Sequence, residues 1–291
     1  MHPDLKPSKI EALPYAISQG YDIDVLRDDL IHPLIAGNKW RKLSGIIEWA
    51  KTLEQAHIVT FGGAYSNHLV ATAVAGKLLG IPTTGFVRGD EIRDSNAYEI
   101  CCQDHGMQLI HVNRSQYRQK QALFEHYFGA VPDAIMVDEG GRHPKAFIGC
   151  SKLLDELKKT YDYIVLSVGT GTTIEGLVQG CIERQLPCKV IGISSLKNNF
   201  DLDRQLQEYP QKHWQILHDY HRGKYAQSDT ELIAFMDWFK SKSGIQLEHV
   251  YTGKMFMAVM DLIQKGQFKP TDKILCIHTG GLPQLAKDYK P

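Results

Sequence analysis

Apolar and polar positions along the chain follow two alternating rhythms. Short, nearly continuous apolar runs are separated by longer stretches in which apolar residues return every three or four positions. The first rhythm marks strands with both faces buried, as in a parallel sheet, and the second marks amphipathic helices. The runs predict strands at residues 57–62, 83–88, 108–112, 134–138, 163–168, 189–194 and 273–278. The helical pattern predicts helices over 67–79, 96–105, 151–159, 173–184, 230–242 and 254–265, and another from Leu43 through Ile46, Ile47 and Ala50. Alternation of this kind implies an α/β protein with right-handed crossovers. The strands fall into two clusters, four between residues 57 and 138 and three from residue 163 on, with Gly140-Gly141-Arg142-His143-Pro144 as a turn-rich hinge.

Composition narrows the class without changing this picture. The 291 residues hold 33 Lys plus Arg against 33 Asp plus Glu, so the formal net charge is zero. A nucleic-acid binder needs excess positive charge to neutralise phosphates, and none is available here. No apolar run approaches the ~20 residues of a membrane helix, and the first residues lack the apolar stretch of a secretory signal. The six cysteines form no CxxC pair and the 13 histidines no HExxH, so a metal site is not expected and a reducing cytoplasm is.

In open α/β sheets ligands gather beyond the carboxyl ends of strands, so the segment after each strand is informative. After the first predicted strand comes Gly62-Gly63-Ala64-Tyr65-Ser66-Asn67-His68 and then a helix. Small residues let a backbone approach a ligand, while Ser66 or Asn67 also serves as an ordinary helix cap. After the fifth comes Gly169-Thr170-Gly171-Thr172-Thr173, a turn rich in N–H and O–H donors suited to a phosphate. Ile174 stands where a dinucleotide fingerprint has its third glycine, and no Walker loop occurs, so a single phosphate monoester fits better than a dinucleotide. After the last comes Thr279-Gly280-Gly281-Leu282-Pro283. Near the N-terminus, Gly37-Asn38-Lys39-Trp40-Arg41-Lys42-Leu43 puts three cations in a first helical turn, where positive charge is disfavoured unless it has an anion or a chemical role.

These pieces, in this order, resemble the pyridoxal-phosphate (PLP) enzymes of the 1-aminocyclopropane-1-carboxylate (ACC) deaminase and D-cysteine desulfhydrase family. The Gly37–Leu43 segment looks like that family's lysine motif and Tyr65-Ser66-Asn67-His68 like its Ser-Asn loop. Residues 169–173 look like its phosphate loop, and Tyr251-Thr252-Gly253-Lys254 and His278-Thr279-Gly280-Gly281 like its two C-terminal motifs. The resemblance implies a tryptophan-synthase-β-like fold with two open, mostly parallel sheets and PLP in a cleft between domains. It places residues 1–46 and 149–291 in a large domain and 47–148 in a small one, and it implies a homodimer.

The resemblance also implies roles. Lys39 becomes the Schiff-base lysine, an amine able to shuttle a proton once its pKa is tuned below the ordinary ~10.4. Asn67 meets the cofactor's phenolic oxygen, and Gly169, Thr170, Gly171, Thr172 and Thr173 hold its phosphate, with Lys42 an added cation. Tyr65, Ser66, Asn67 and His68 face the substrate, and Tyr225 and Tyr251 form an active-site tyrosine pair. ACC deaminases carry Glu at the position of Thr252 and Leu at that of Thr279. Hydroxyls there leave the ring a weaker electron sink, sufficient for β-elimination of a good leaving group. The expected reaction is therefore D-cysteine desulfhydration, with ACC deamination or a catalytically silent PLP-binding protein as alternatives. Tyr65 in place of the usual Gln, and Arg142-His143-Pro144-Lys145 in place of a more neutral loop, depart from the family pattern.

Overall fold

The computed structural model describes residues 4–35, 37–89, 96–197, 199–223 and 228–281. The chain opens with β1 (Lys9–Ala12), α1 (Tyr15–Ser18), β2 (Asp22–Arg27) and α2 (Gly37–Ala50). It continues through β3 (His57–Gly63), α3 (Asn67–Leu79), β4 (Thr83–Arg88), α4 (Ala97–Asp104) and β5 (Gln108–Val112). Next come α5 (Arg114–Tyr117), α6 (Lys120–Phe128), β6 (Ala134–Val137) and α7 (Pro144–Ser151). The last part comprises β7 (Tyr163–Val168), α8 (Thr172–Glu183), β8 (Lys189–Ser194), α9 (Asp201–Leu206), β9 (Trp214–Leu217), α10 (Thr230–Ser243), α11 (Thr252–Gln264) and β10 (Lys273–His278). The chain folds into two compact units. One holds residues 4–6 with Ile31–Gly149, the other Pro7–Leu30 with Cys150–Gly281. The first therefore contains the whole of α2, which the boundary expected at residue 46 would divide.

In the first unit four parallel strands lie in the order β5-β4-β3-β6. Ile58, Val87, Ile135 and Val137 pack with α2 and α3 on one face, while Val59, Phe61, Phe86, Val112 and Phe128 fill the other. Both faces are thus covered, which explains the unbroken apolar runs. In the second unit six strands lie in the order β1-β2-β10-β7-β8-β9, all parallel except the β1–β2 pair. Alternate residues of β10 divide between its faces: Ile274 and Cys276 pack with Met255, Phe256 and Val259 of α11, Leu275 and Ile277 with Leu177 and Val178 of α8.

All seven predicted strands are present. β1, β2 and β9 were not predicted, because β1 and β9 are four residues long and Asp-Ile-Asp-Val-Leu-Arg breaks the apolar run of β2. Asp24 nevertheless points inward, where its Oδ2 accepts the Tyr161 hydroxyl at 2.7 Å and pairs with Lys159 at 2.9 Å. The helix expected over 151–159 is displaced. Pro144 starts α7 earlier, with His143 Nδ1 accepting the Lys145 N–H at 3.1 Å, and residues 152–156 form a 3₁₀ turn. The segment read as a hinge is a tight turn at Gly140 and Gly141, both at positive φ, leading directly into α7.

Candidate active site

In the first unit the residues of interest come from α2 and from the turn between β3 and α3. Helix α2 crosses α7 with backbone in contact. A Cβ placed on Gly45 would lie 2.0 Å from the Lys145 carbonyl oxygen, and one on Gly149 would lie 2.3 Å from that of Arg41. Two glycines set the crossing with α7, while Leu43, Ile46, Ile47 and Ala50 pack the helix into the core of the first unit. Lys39 Nζ donates to Asn38 Oδ1 at 3.1 Å, and the buried Lys42 reaches the Gly140 carbonyl oxygen at 2.7 Å.

The β3–α3 turn closes tightly. A Cβ on Gly62 would lie 2.7 Å from Ser66 Oγ, so only glycine fits beneath that hydroxyl. Ser66 caps α3, its Oγ accepting the Leu69 N–H at 3.3 Å, so the ordinary capping role is filled. Asn67 Oδ1 is buried without a partner. The His68 ring is turned inward, 2 % exposed, with Nε2 2.8 Å from Thr60 Oγ1. Burial, together with the charges of Lys39 and Lys42, holds its pKa well below the ordinary imidazole value. Tyr65 points the other way: it is 67 % exposed and meets Tyr98 edge-on at 5.9 Å. The departing 142–145 segment is packed in place, with Arg142 over Phe147, and His143 stacked on Trp49 under Lys145.

In the second unit the strand-to-helix turn after β7 carries the threonines. Gly171 adopts φ +85° and occupies the N-cap of α8, so no side chain caps that helix. Thr172 and Thr173 are buried in its first turn, and the Thr172 hydroxyl has no partner. The Gly169 carbonyl accepts Asn199 Nδ2 at 2.9 Å, and the Tyr251 ring lies against Gly169. Ser195, just after β8, bonds through its N–H to the Val168 carbonyl and also buries an unpartnered hydroxyl. Thr279 and Ser167 share a hydroxyl–hydroxyl bond of 3.2 Å. Tyr225 lies outside the described residues.

Of two charged residues here, Glu248 was not singled out from the sequence and Lys254 was read only as part of the 251–254 motif. Glu248 is 4 % exposed, and its carboxylate accepts the N–H groups of Val250 and Tyr251 at 2.7 Å and of Thr252 at 2.6 Å. Thr252 Oγ1 accepts the Glu248 N–H at 3.0 Å and lies 3.3 Å from Glu248 Oε1. Burial raises the Glu248 pKa, and those N–H donors oppose it. The signal was present in the sequence: an acidic residue just ahead of a helix start is a cap. Lys254 is 1 % exposed with no partner on Nζ, and burial lowers its pKa. Nothing in sequence spacing separates such a lysine from one that snorkels to solvent. Among the described residues, no group of three or more His, Cys, Asp or Glu side chains converges as a metal site, and no helix is long and apolar enough to cross a membrane.

Known proteins place this arrangement in context. Residues 14–280 match the family model described as pyridoxal-phosphate dependent enzyme. A putative ACC deaminase of Pyrococcus abyssi is 29% identical over 286 residues, covering 91% of this chain and 86% of that protein. A D-cysteine desulfhydrase of Klebsiella pneumoniae is 24% identical, covering 96% and 93% respectively. A crystal structure of an ACC deaminase homologue superposes with a TM-score of 0.79 at 26% identity, covering 97% of this chain and 96% of that one.

The residues present suit the cofactor of that family. PLP brings a phosphate needing O–H and N–H donors, and the uncapped start of α8 with its unpartnered Thr172 hydroxyl offers them. Its aldehyde would need an amine, and the first unit carries Lys39 on a helix held against α7 at Gly45 and Gly149. Fold and sequence relationship agree, and the chain belongs to the pyridoxal-phosphate dependent enzymes.

Proposed function

We propose that the protein is a PLP-dependent lyase of small amino acids, and specifically a D-cysteine desulfhydrase. Its overall reaction converts D-cysteine and water to pyruvate, ammonia and hydrogen sulfide. The observation that carries this reading is the chemistry of positions 252 and 279. Both are buried hydroxyl side chains, one tied to Glu248 and the other to Ser167. When bound, PLP supplies an electron sink for charge developing at the substrate Cα; flanked by hydroxyls, that sink is weak but adequate for expelling a thiolate.

The chain's own groups then have separable tasks. Lys39 carries the cofactor and, when released by the incoming substrate amine, takes the Cα proton. Ser66 and the N–H groups of the turn at Asn67 and His68 hold the substrate carboxylate. Asn67 orients the cofactor's phenolic oxygen; Lys42 and the 169–173 turn neutralise its phosphate. Tyr251 or Tyr225 delivers a proton to the departing sulfur. Tyr65, turned toward Tyr98 and open to solvent, leaves the turn accessible, which favours an active enzyme over a silent binder. The reading further includes a cytoplasmic homodimer.

One observation favours ACC deaminase as the second reading. Glu248 brings a buried carboxylate to 3.3 Å from Thr252 Oγ1, at the position where ACC deaminases carry their own glutamate. Product analysis separates the two. Incubated with D-cysteine, the protein should yield equal pyruvate and sulfide, and with ACC no 2-oxobutanoate. Consumption of ACC without turnover of D-cysteine would reverse the assignment, and no product from either would support a silent binder.

A further inference from the structure

Tyr65 stands between Ala64, which packs on the core, and Ser66, the cap of α3, yet its own ring is 67 % exposed. The turn closes without it. Gly62 leaves the space beneath Ser66 Oγ, and Ser66 Oγ accepts the Leu69 N–H at 3.3 Å. A single exposed ring would call for no explanation, but this one has a fixed partner. It meets Tyr98 at 5.9 Å with the ring planes 80° apart, and Tyr98 is half-buried against the core from the first turn of α4.

That turn of α4 is held from several sides. Asn96 Oδ1 accepts the N–H groups of Tyr98 at 2.8 Å and of Glu99 at 3.3 Å, and Glu99 Oε2 accepts the Asn96 N–H at 3.2 Å. Glu99 is 2 % exposed and meets His111 of β5 at 3.3 Å. The Asn96 amide nitrogen donates to the Ala64 carbonyl oxygen at 3.0 Å, which ties the start of α4 to the residue just before Tyr65. The two rings therefore make a preformed aromatic corner, open to solvent on the Tyr65 side. It lies one residue from the hydroxyl and N–H groups that take the substrate carboxylate in the reading above. Two perpendicular rings offer apolar, polarisable surface, which attracts alkyl, aryl and thioether groups.

We infer that Tyr65 and Tyr98 select the leaving group, so that the preferred substrates are D-cysteines carrying an alkyl or aryl substituent on sulfur. The inference rests on the reading of the protein as a lyase that expels sulfur from D-cysteine. The substituent is the part of such a substrate farthest from its Cα, and the corner is the part of the turn that faces outward. In the reaction the Cβ–S bond breaks and its electron pair leaves with the sulfur, which takes up a proton and departs as a thiol. One water is consumed, pyruvate and ammonia are the other products, and neither oxidant nor reductant is needed.

Tyr65→Phe and Tyr65→Gln separate an aromatic ring from a polar side chain at an exposed position. The first readout is the ratio of kcat/KM for S-benzyl-D-cysteine to that for D-cysteine. The parent ratio should exceed one, stay near the parent value in Y65F and fall about fivefold in Y65Q, chiefly through KM. The second readout needs no turnover. D-methionine and D-alanine carry no leaving group on Cβ, and their dissociation constants can be read from the absorption of the bound cofactor. The preference for D-methionine over D-alanine should also fall about fivefold in Y65Q and persist in Y65F. Equal ratios in parent and Y65Q, or a parent that prefers D-cysteine to its S-benzyl derivative, would overturn the inference. Product from ACC alone would instead overturn the underlying reading, and the D-methionine preference would still report whether the corner contacts an amino-acid side chain.

Discussion

Gly45→Ala is a small change with a large expected effect, because two forces act on it in opposite directions. Alanine is favoured over glycine inside a helix by about 1 kcal/mol, so local propensity alone predicts a more stable protein. Packing predicts the reverse. The added methyl would sit 2.0 Å from the Lys145 carbonyl oxygen, 2.8 Å from the Gly149 nitrogen and 3.0 Å from its Cα. All three are backbone atoms of α7, so no side chain can rotate aside, and the two helices must separate by about 1 Å or more. Overpacking of this kind costs about 1–3 kcal/mol, and contact with rigid backbone places it at or above the top of that range. The net expectation is a loss of about 2 kcal/mol. Urea denaturation of the cofactor-free protein, followed by far-UV circular dichroism, reads this as a lower midpoint at unchanged slope. Cofactor affinity should fall as well, since α2 carries Lys39 and Lys42. A G45A variant as stable as the parent would refute the close crossing of α2 and α7.

Other expectations come from single buried groups. Thr172→Val removes the unpartnered hydroxyl at the start of α8; PLP should bind roughly tenfold more weakly, by fluorescence titration, while the cofactor-free protein is as stable or more so. Unchanged affinity would detach Thr172 from the phosphate. Lys254→Met should stabilise the cofactor-free protein at neutral pH by about 1–3 kcal/mol, because an unpaired amine no longer has to be buried. Burial lowers the Lys254 pKa below the ordinary value of 10.5, so toward pH 10 the unfolded chain holds a proton that the native state has released. Parent stability should therefore rise with pH in that window, and the rise should shrink in K254M; a less stable variant would mean that the amine has a partner. His68 acts at the acid end. Its folded pKa lies well below 6.5, so as pH falls below that value the unfolded chain takes up a proton the native ring refuses. That group contributes a stability loss of up to about 1.4 kcal/mol per pH unit, and urea midpoints of H68Q should lack this component of the slope.

The sequence was most informative where one force dominates. Strands buried on both faces, such as β3 and β7, read directly as apolar runs, and the Gly-Thr-Gly turn after β7 announced its donors. It was least informative where a long-range partner rescues a locally unfavourable residue. Asp24 reads as a strand breaker until Tyr161 and Lys159 are seen to satisfy it. The hinge reading of Gly140-Gly141 rested on turn propensity. In the structure those glycines fit a tight turn against Lys42 and His68, a requirement of space and positive φ that neighbouring residues cannot reveal. Capping explains the site residues that were overlooked. Glu248 was passed over because it stands outside the 251–254 motif, yet its carboxylate binds three N–H groups at the start of α11. Thr60 was overlooked as an ordinary strand residue, although its single hydrogen decides the tautomer of His68.

The central claim is that Lys39 is the amine that carries PLP. It is tested most directly by loading the protein with PLP, reducing with borohydride to fix the cofactor on its amine, and locating the modified lysine by peptide mass spectrometry. The account predicts a single modified peptide containing Lys39, lost in Lys39→Ala together with the visible absorption band. Modification of Lys42, of Lys254 or of no lysine at all would contradict it.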